Sequence, residues 1–147
     1  MLRKQLFLIH TQKHYHTLYR THVNGIFKRI FSELGYTGNE EKAGARFLKL
    51  LERESVLMSG AEETLKALQK KARIFIATNG VSSIQNGRLR RIQGLFEKAY
   101  ISEEIGKIKP LSGFFERILT DLNAKREECL MIGDSLSSDI AGAKKAG

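Results

Sequence analysis

The chain has 147 residues, 41% of them hydrophobic, and 25 Lys plus Arg against 16 Asp plus Glu give a formal net charge of +9. That length and balance fit one globular domain or part of one, and no apolar run approaches the roughly 18 residues of a membrane-spanning helix. With a single cysteine, Cys129, the chain has no disulfide framework.

The opening, "MLRKQLFLIHTQKHYH", has a basic front and a short apolar patch, but no small-residue cleavage site comes after it. A secretory signal is therefore not expected, and a cytoplasmic address is the default. From about 12 to 56 the pattern is helical: Ile26, Phe27, Ile30, Phe31 and Leu34 recur at spacings of three and four, and "ARFLKLLERES" repeats the habit after the turn "GYTGN". From about 60 helices alternate with short apolar runs: "AEETLKALQKK", "ARIFIA", "VSSIQNGRLRRI", "KAYI", "LSGFFERILTDL", "CLMI" and "SDIAGAKKA". That alternation predicts an α/β fold with a parallel sheet, and runs apolar throughout suit strands covered on both faces. Cys129 opens one such run and is expected to be a buried thiol.

In a parallel sheet, ligands gather at the carboxyl ends of the strands, where loops meet helix amino termini. Three such loops carry polar chemistry. After "RIFIA" come Thr78, Asn79 and Gly80, whose hydroxyl, amide and backbone donors suit an anion, with Ser82 placed to cap the next helix; an ordinary turn uses the same residues. After "KAYI" comes "SEEIGKIKP", where Pro110, the only proline, restrains the backbone of Lys109. Lys109 reads either as a neutraliser of phosphate charge or as plain surface charge, and Lys107 as solvated. After "CLMI" comes "GDSLSSD", in which Asp134 and Asp139 supply hard oxygen ligands of the kind Mg²⁺ takes, alongside waters and substrate phosphate. The structural alternative is capping, with Asp134 or Ser135 as N-cap and Asp139 favoured by the helix dipole.

"IFIATNG", "ISEEIGKIKP" and "CLMIGDSLSSDIAGAKKAG" together resemble the haloacid dehalogenase-like (HAD) hydrolase superfamily, in particular its nucleotidase-like phosphatases with a helical cap. The resemblance implies a Rossmann-like HAD core over 59–147 preceded by part of a helical cap over 1–58. It assigns Thr78 to the second motif as a donor to the phosphoryl oxygen with backbone help from Asn79, Lys109 to the third, and Asp134 and Asp139 to the fourth as holders of Mg²⁺. It implies a phosphorylated small molecule as substrate, and it suits phosphate better than a haloacid. The "GRLRRIQGLFEKAYISEEIG" stretch fits the same pattern, although Gly87 is uncomfortable in a helix.

The first motif of that family, Asp-x-Asp-x-Thr, should supply an attacking carboxylate and a general acid-base. No aspartate precedes Asp121. Replacement of the nucleophile by His10, His14 or His16, or a metal site from His14, His16 and His22, lacks the family's spacing or a supporting ligand. The expectation is a piece of a longer protein, incomplete at both ends, inactive alone, and lacking the strand that should separate "RIFIA" from "CLMI". The alternatives are a noncatalytic scaffold that kept the sheet, and a nonspecific nucleic-acid binder driven by charge. The basic residues are dispersed over Lys70 and Lys71, "RLRR" at 88–91, and Lys144 and Lys145, without an aromatic ladder, which weakens the last.

Overall fold

A computed structural model describes residues 12–147, and side chains from Tyr19 onward. The expectations placed on His10, His14 and His16 lie outside those described side chains, and His22 is exposed on the first helix. Helices α1 (Gln12–Glu33) and α2 (Glu40–Arg53) form an antiparallel pair joined by the short turn read from "GYTGN". Asn39 caps α2, its side chain accepting the Lys42 N–H at 2.7 Å, and Glu40 and Glu41 occupy the first turn, where the helix dipole favours acids. Phe27 bridges the pair, edge-on to Phe31 at 6.1 Å and to Phe47 at 5.8 Å between centroids.

After α3 (Ala61–Gln69) the chain enters the α/β part. Strand β1 (Phe75–Thr78) and strand β2 (Lys98–Ile101) lie parallel, with Ala77 beside Tyr100 and Thr78 beside Ile101. Between them run α4 (Ser82–Leu89) and a 3₁₀ turn; after β2 come α5 (Ser102–Ile105) and α6 (Ser112–Leu122). Tyr100, Phe114, Phe115 and Ala146 form the buried cluster, with Phe75, Ile118 and Met131 against it. Tyr100 donates to Asp121 Oδ2 at 2.7 Å, tying β2 to α6, and burial together with that bond pushes its pKa up to about 12.

Gly87 has a packing reason. It is buried where α4 crosses the end of α2, and a Cβ there would overlap the carbonyl oxygen of Glu52. Arg90 secures the crossing by donating to Glu52 O at 2.7 Å and Gly87 O at 3.1 Å. Gly87→Ala raises helix propensity, yet it is expected to lower stability by about 1–3 kcal/mol because backbone must move apart. A lower urea midpoint checks this, and an unchanged one would mean that α2 yields without cost.

The run "CLMI" departs from expectation. Residues 129–132 belong to no strand, because among the described residues β1 pairs only with β2 and nothing supplies a ladder for the second apolar run. Leu130 and Ile132 are consequently 85% and 74% exposed, and Cys129 is exposed rather than buried. Only Met131 turns inward. The chain then makes a π-helical turn over Leu136–Ile140, in which the Ser135 carbonyl accepts from both Asp139 at 2.8 Å and Ile140 at 3.2 Å, before α7 (Ala141–Ala146). Among the described residues no helix is long and apolar enough to cross a membrane.

Candidate active site

Because β1 and β2 are parallel, the loops at their carboxyl ends leave from the same edge of the sheet. Thr78 ends β1 half-buried, and its hydroxyl has only a weak 3.4 Å contact with the Asn79 carbonyl. The next donors are already engaged: the Gly80 N–H bonds Ser102 Oγ at 2.9 Å, and the Ser82 N–H bonds Glu103 Oε2 at 2.7 Å. Gly80 N–H is thus tied to protein rather than turned to an anion. Ser82 does not cap α4 either; Val81 holds the N-cap position, and the Ser82 hydroxyl is buried without a hydrogen-bond partner among the described residues.

Lys109 is not surface charge. Its side chain is 8% exposed, and the ammonium donates to Ala77 O at 2.7 Å and Asp139 Oδ1 at 2.6 Å. An ammonium has three donors, so one remains for a ligand after those two are placed. The pair, thirty residues apart in sequence, ties the end of β1 to the π-helical turn through the ammonium's two bonds.

The "GDSLSSD" loop separates its two aspartates by environment. Ser135 is the cap: its hydroxyl accepts the Ser138 N–H at 3.1 Å, and Asp139 Oδ2 returns to accept the Ser135 N–H at 3.2 Å. Burial alone would raise the Asp139 pKa. The Lys109 hydrogen bond, the Ser135 N–H, the Lys109 charge and the Ser138 hydrogen bond together outweigh it and hold the carboxyl below its ordinary value. Gly133 permits this approach, since a Cβ there would lie 2.6 Å from Asp139 Cγ. Asp134 differs: it is exposed, carries no side-chain hydrogen bond among the described residues, and is not needed as a cap.

An exposed carboxylate beside a buried, ion-paired one suits Mg²⁺, which takes one or two protein carboxylates and completes its shell with water and phosphate. No cluster of three or more His, Cys, Asp or Glu side chains able to hold a metal occurs among the described residues. Thr78 and Asn79, the buried Lys109, and the two aspartates thus stand on loops after β1, β2 and the 129–132 run, in the order "TNG", "GKIKP", "GDSLSSD".

Residues 7–147 match the haloacid dehalogenase-like hydrolase family. The chain belongs to that family. It is 36% identical over 130 residues to the pyrimidine 5'-nucleotidase PynA of Streptococcus pneumoniae, covering 85% of this chain and 54% of that protein. It is also 36% identical over 109 residues to the pyrimidine 5'-nucleotidase YjjG of Escherichia coli, covering 72% of this chain and 48% of that one. The HAD-hydrolase YfnB from Bacillus subtilis, solved bound to magnesium, superimposes with a TM-score of 0.78 at 33% identity, over 85% of this chain and 56% of YfnB. This HAD chain therefore spans about half the length of the curated relatives it matches.

The α/β core with its parallel pair is that of the family. Five positions on these loops stand out in the sequence, but the Asn79 amide offered there to an anion is instead bonded to the Lys109 backbone, and no local pattern signals the clasp made by Ser102 and Glu103. The resemblance also assigns one function to both aspartates, where the structure gives them different surroundings.

Proposed function

We propose that the protein to which this chain belongs hydrolyses phosphate monoesters of small molecules, with a pyrimidine nucleotide as the leading substrate class. Attack on phosphorus by the first carboxylate of the family's first motif would break the P–O ester bond and form an aspartyl-phosphate, the departing alcohol taking a proton from the second carboxyl; water then hydrolyses the aspartyl-phosphate to inorganic phosphate and the free carboxylate. The observation that carries the reading is the buried Lys109–Asp139 pair, whose ammonium also reaches Ala77 O one residue before the weakly engaged Thr78 at the end of β1, with the exposed Asp134 on the same loop as Asp139. The Thr78 hydroxyl donates to a phosphoryl oxygen. The remaining Lys109 donor neutralises a second oxygen, and Asp139 keeps the ammonium charged and aimed. Asp134, with Asp139 behind it, would hold Mg²⁺, which when bound supplies further neutralisation of phosphoryl charge. The nucleotidase and phosphatase relatives support the substrate class.

The domain reading goes with this one: residues 1–58 as part of a helical cap, and 59–147 as an α/β core that takes a further strand beside β1. The unpaired run 129–132, with Leu130 and Ile132 in solvent, supports a neighbour there. The test is made on a longer protein in which a strand ending in Asp-x-Asp-x-Thr precedes this chain. Hydrolysis of a pyrimidine nucleoside monophosphate is expected to require Mg²⁺ and to fall by at least about 10²-fold in Asp134→Asn, the scale of losing one electrostatic stabiliser. Unchanged turnover in that variant would refute the assignment. A noncatalytic scaffold is the second reading, favoured by the lack of any aspartate before Asp121; it predicts stable folding of this chain without turnover.

A further inference from the structure

Asn79 is exposed as a residue, yet both polar atoms of its side chain are engaged. Its Nδ2 donates to the Lys109 carbonyl at 3.0 Å, and its Oδ1 accepts the Lys109 N–H at 2.9 Å. One carboxamide thus holds both polar groups of one residue's backbone, and only this orientation of the amide satisfies them. A two-point grip of this kind fixes where that backbone lies and how it is turned, which a single bond does not. From there the Lys109 side chain reaches Ala77 O and Asp139 Oδ1, so the residue is held at both ends. The bonds from Gly80 to Ser102 and from Ser82 to Glu103 join the same loop to the start of the stretch that carries Lys109.

We propose that Asn79 is a positioning residue: its carboxamide clamps the Lys109 backbone and so delivers the ammonium to the phosphate site. This rests on the phosphatase reading of Lys109 and gives the Asn79 side chain a task other than touching phosphate. The neighbouring Gln85 provides the control, because among the described residues its Nε2 bonds only the Asn79 carbonyl, at 3.2 Å, and does not touch Lys109.

The experiment tracks lysine ammonium protons by ¹⁵N NMR in the 147-residue chain. The wild type is expected to show one slowly exchanging ammonium signal, assigned by its loss in Lys109→Arg. In Asn79→Ala its exchange is expected to speed up about tenfold or more, the effect of losing two hydrogen bonds. Asn79→Asp, which keeps the acceptor for the Lys109 N–H and loses the donor, serves if the alanine variant does not fold and should give an intermediate increase. Gln85→Ala should leave the signal unchanged. Persistence of the wild-type exchange rate in both Asn79 variants, an equal increase in Gln85→Ala, or absence of a protected signal from the wild type would overturn the proposal. Titration with inorganic phosphate tests the underlying reading by itself. Failure to shift the Thr78 and Lys109 signals would remove the phosphatase reading, while the exchange comparison still decides whether Asn79 positions the lysine.

Discussion

The 147-residue chain is expected to release no phosphate from p-nitrophenyl phosphate above buffer, with or without Mg²⁺. The reason lies in where its carboxylates stand. Asp121 is engaged by Lys98 and Tyr100 on the α6 side of the sheet, and Asp139 is buried against Lys109. Asp134 is the carboxylate proposed for the metal, and no aspartate occurs earlier in the chain than Asp121. None stands in an Asp-x-Asp-x-Thr strand. Thr78 and Lys109 can stabilise charge on a phosphoryl group, but stabilisation without an attacking group leaves the reaction near its uncatalysed rate. Removal of a covalent nucleophile costs roughly 10⁶-fold in kcat in subtilisin. Mg²⁺-dependent turnover by the purified chain, abolished in Asp134→Asn, would show that an unforeseen group attacks phosphorus.

Lys109→Met is expected to destabilise the fold by about 3–5 kcal/mol, the cost of leaving one member of a buried ion pair without its partner. Both side chains are less than a tenth exposed, so solvent screening does not soften the loss. The pH dependence comes from Asp139. In the wild type its folded pKa lies below the ordinary value of 3.8, so its contribution is present above that value and is lost as the pH falls through the folded pKa. In the variant, burial remains and the Lys109 contributions are gone, so the folded pKa moves upward. A carboxyl raised on folding favours the folded state in acid and penalises it as pH rises. The difference between wild type and variant should therefore be largest near neutrality and shrink below about pH 4. Urea midpoints at several pH values check this. Pairing the substitution with Asp139→Leu should recover much of the neutral-pH loss, and a double variant as unstable as Lys109→Met would show that packing rather than charge is at stake.

Much of the fold is legible from local pattern. "RIFIA" and "KAYI" are short, apolar and bounded by polar turns, and a helix between them forces parallel pairing, as β1 and β2 display. The helices "LSGFFERILTDL" and "ARFLKLLER" announce themselves by spacing. "CLMI" has the same composition as a strand, but a strand is a relation between two segments, and composition cannot supply the neighbour. The burial expected of Cys129 fails for the same reason. Gly87 looks unfavourable in sequence because its justification lies 35 positions away in the Glu52 carbonyl. Of the two capping candidates in "GDSLSSD" it is Ser135 that caps, while Asp139 meets Lys109 and Asp134 is left exposed. No pattern in either loop announces the Asn79 grip on Lys109, since each residue alone has an ordinary explanation.

The π-helical turn has a directional outcome. Each residue of an α-helix advances the side-chain bearing by about 100°, so inserting one extra residue into a turn rotates the segment before it relative to the segment after it. Here that offset lets Asp139 look toward Lys109 while Gly142 and Ala146 lie flat on Phe115 and its neighbours. Electrostatics and close packing are thereby set independently on one short stretch of chain, and the carboxylate's aim does not have to be compromised for the fit of the last helix.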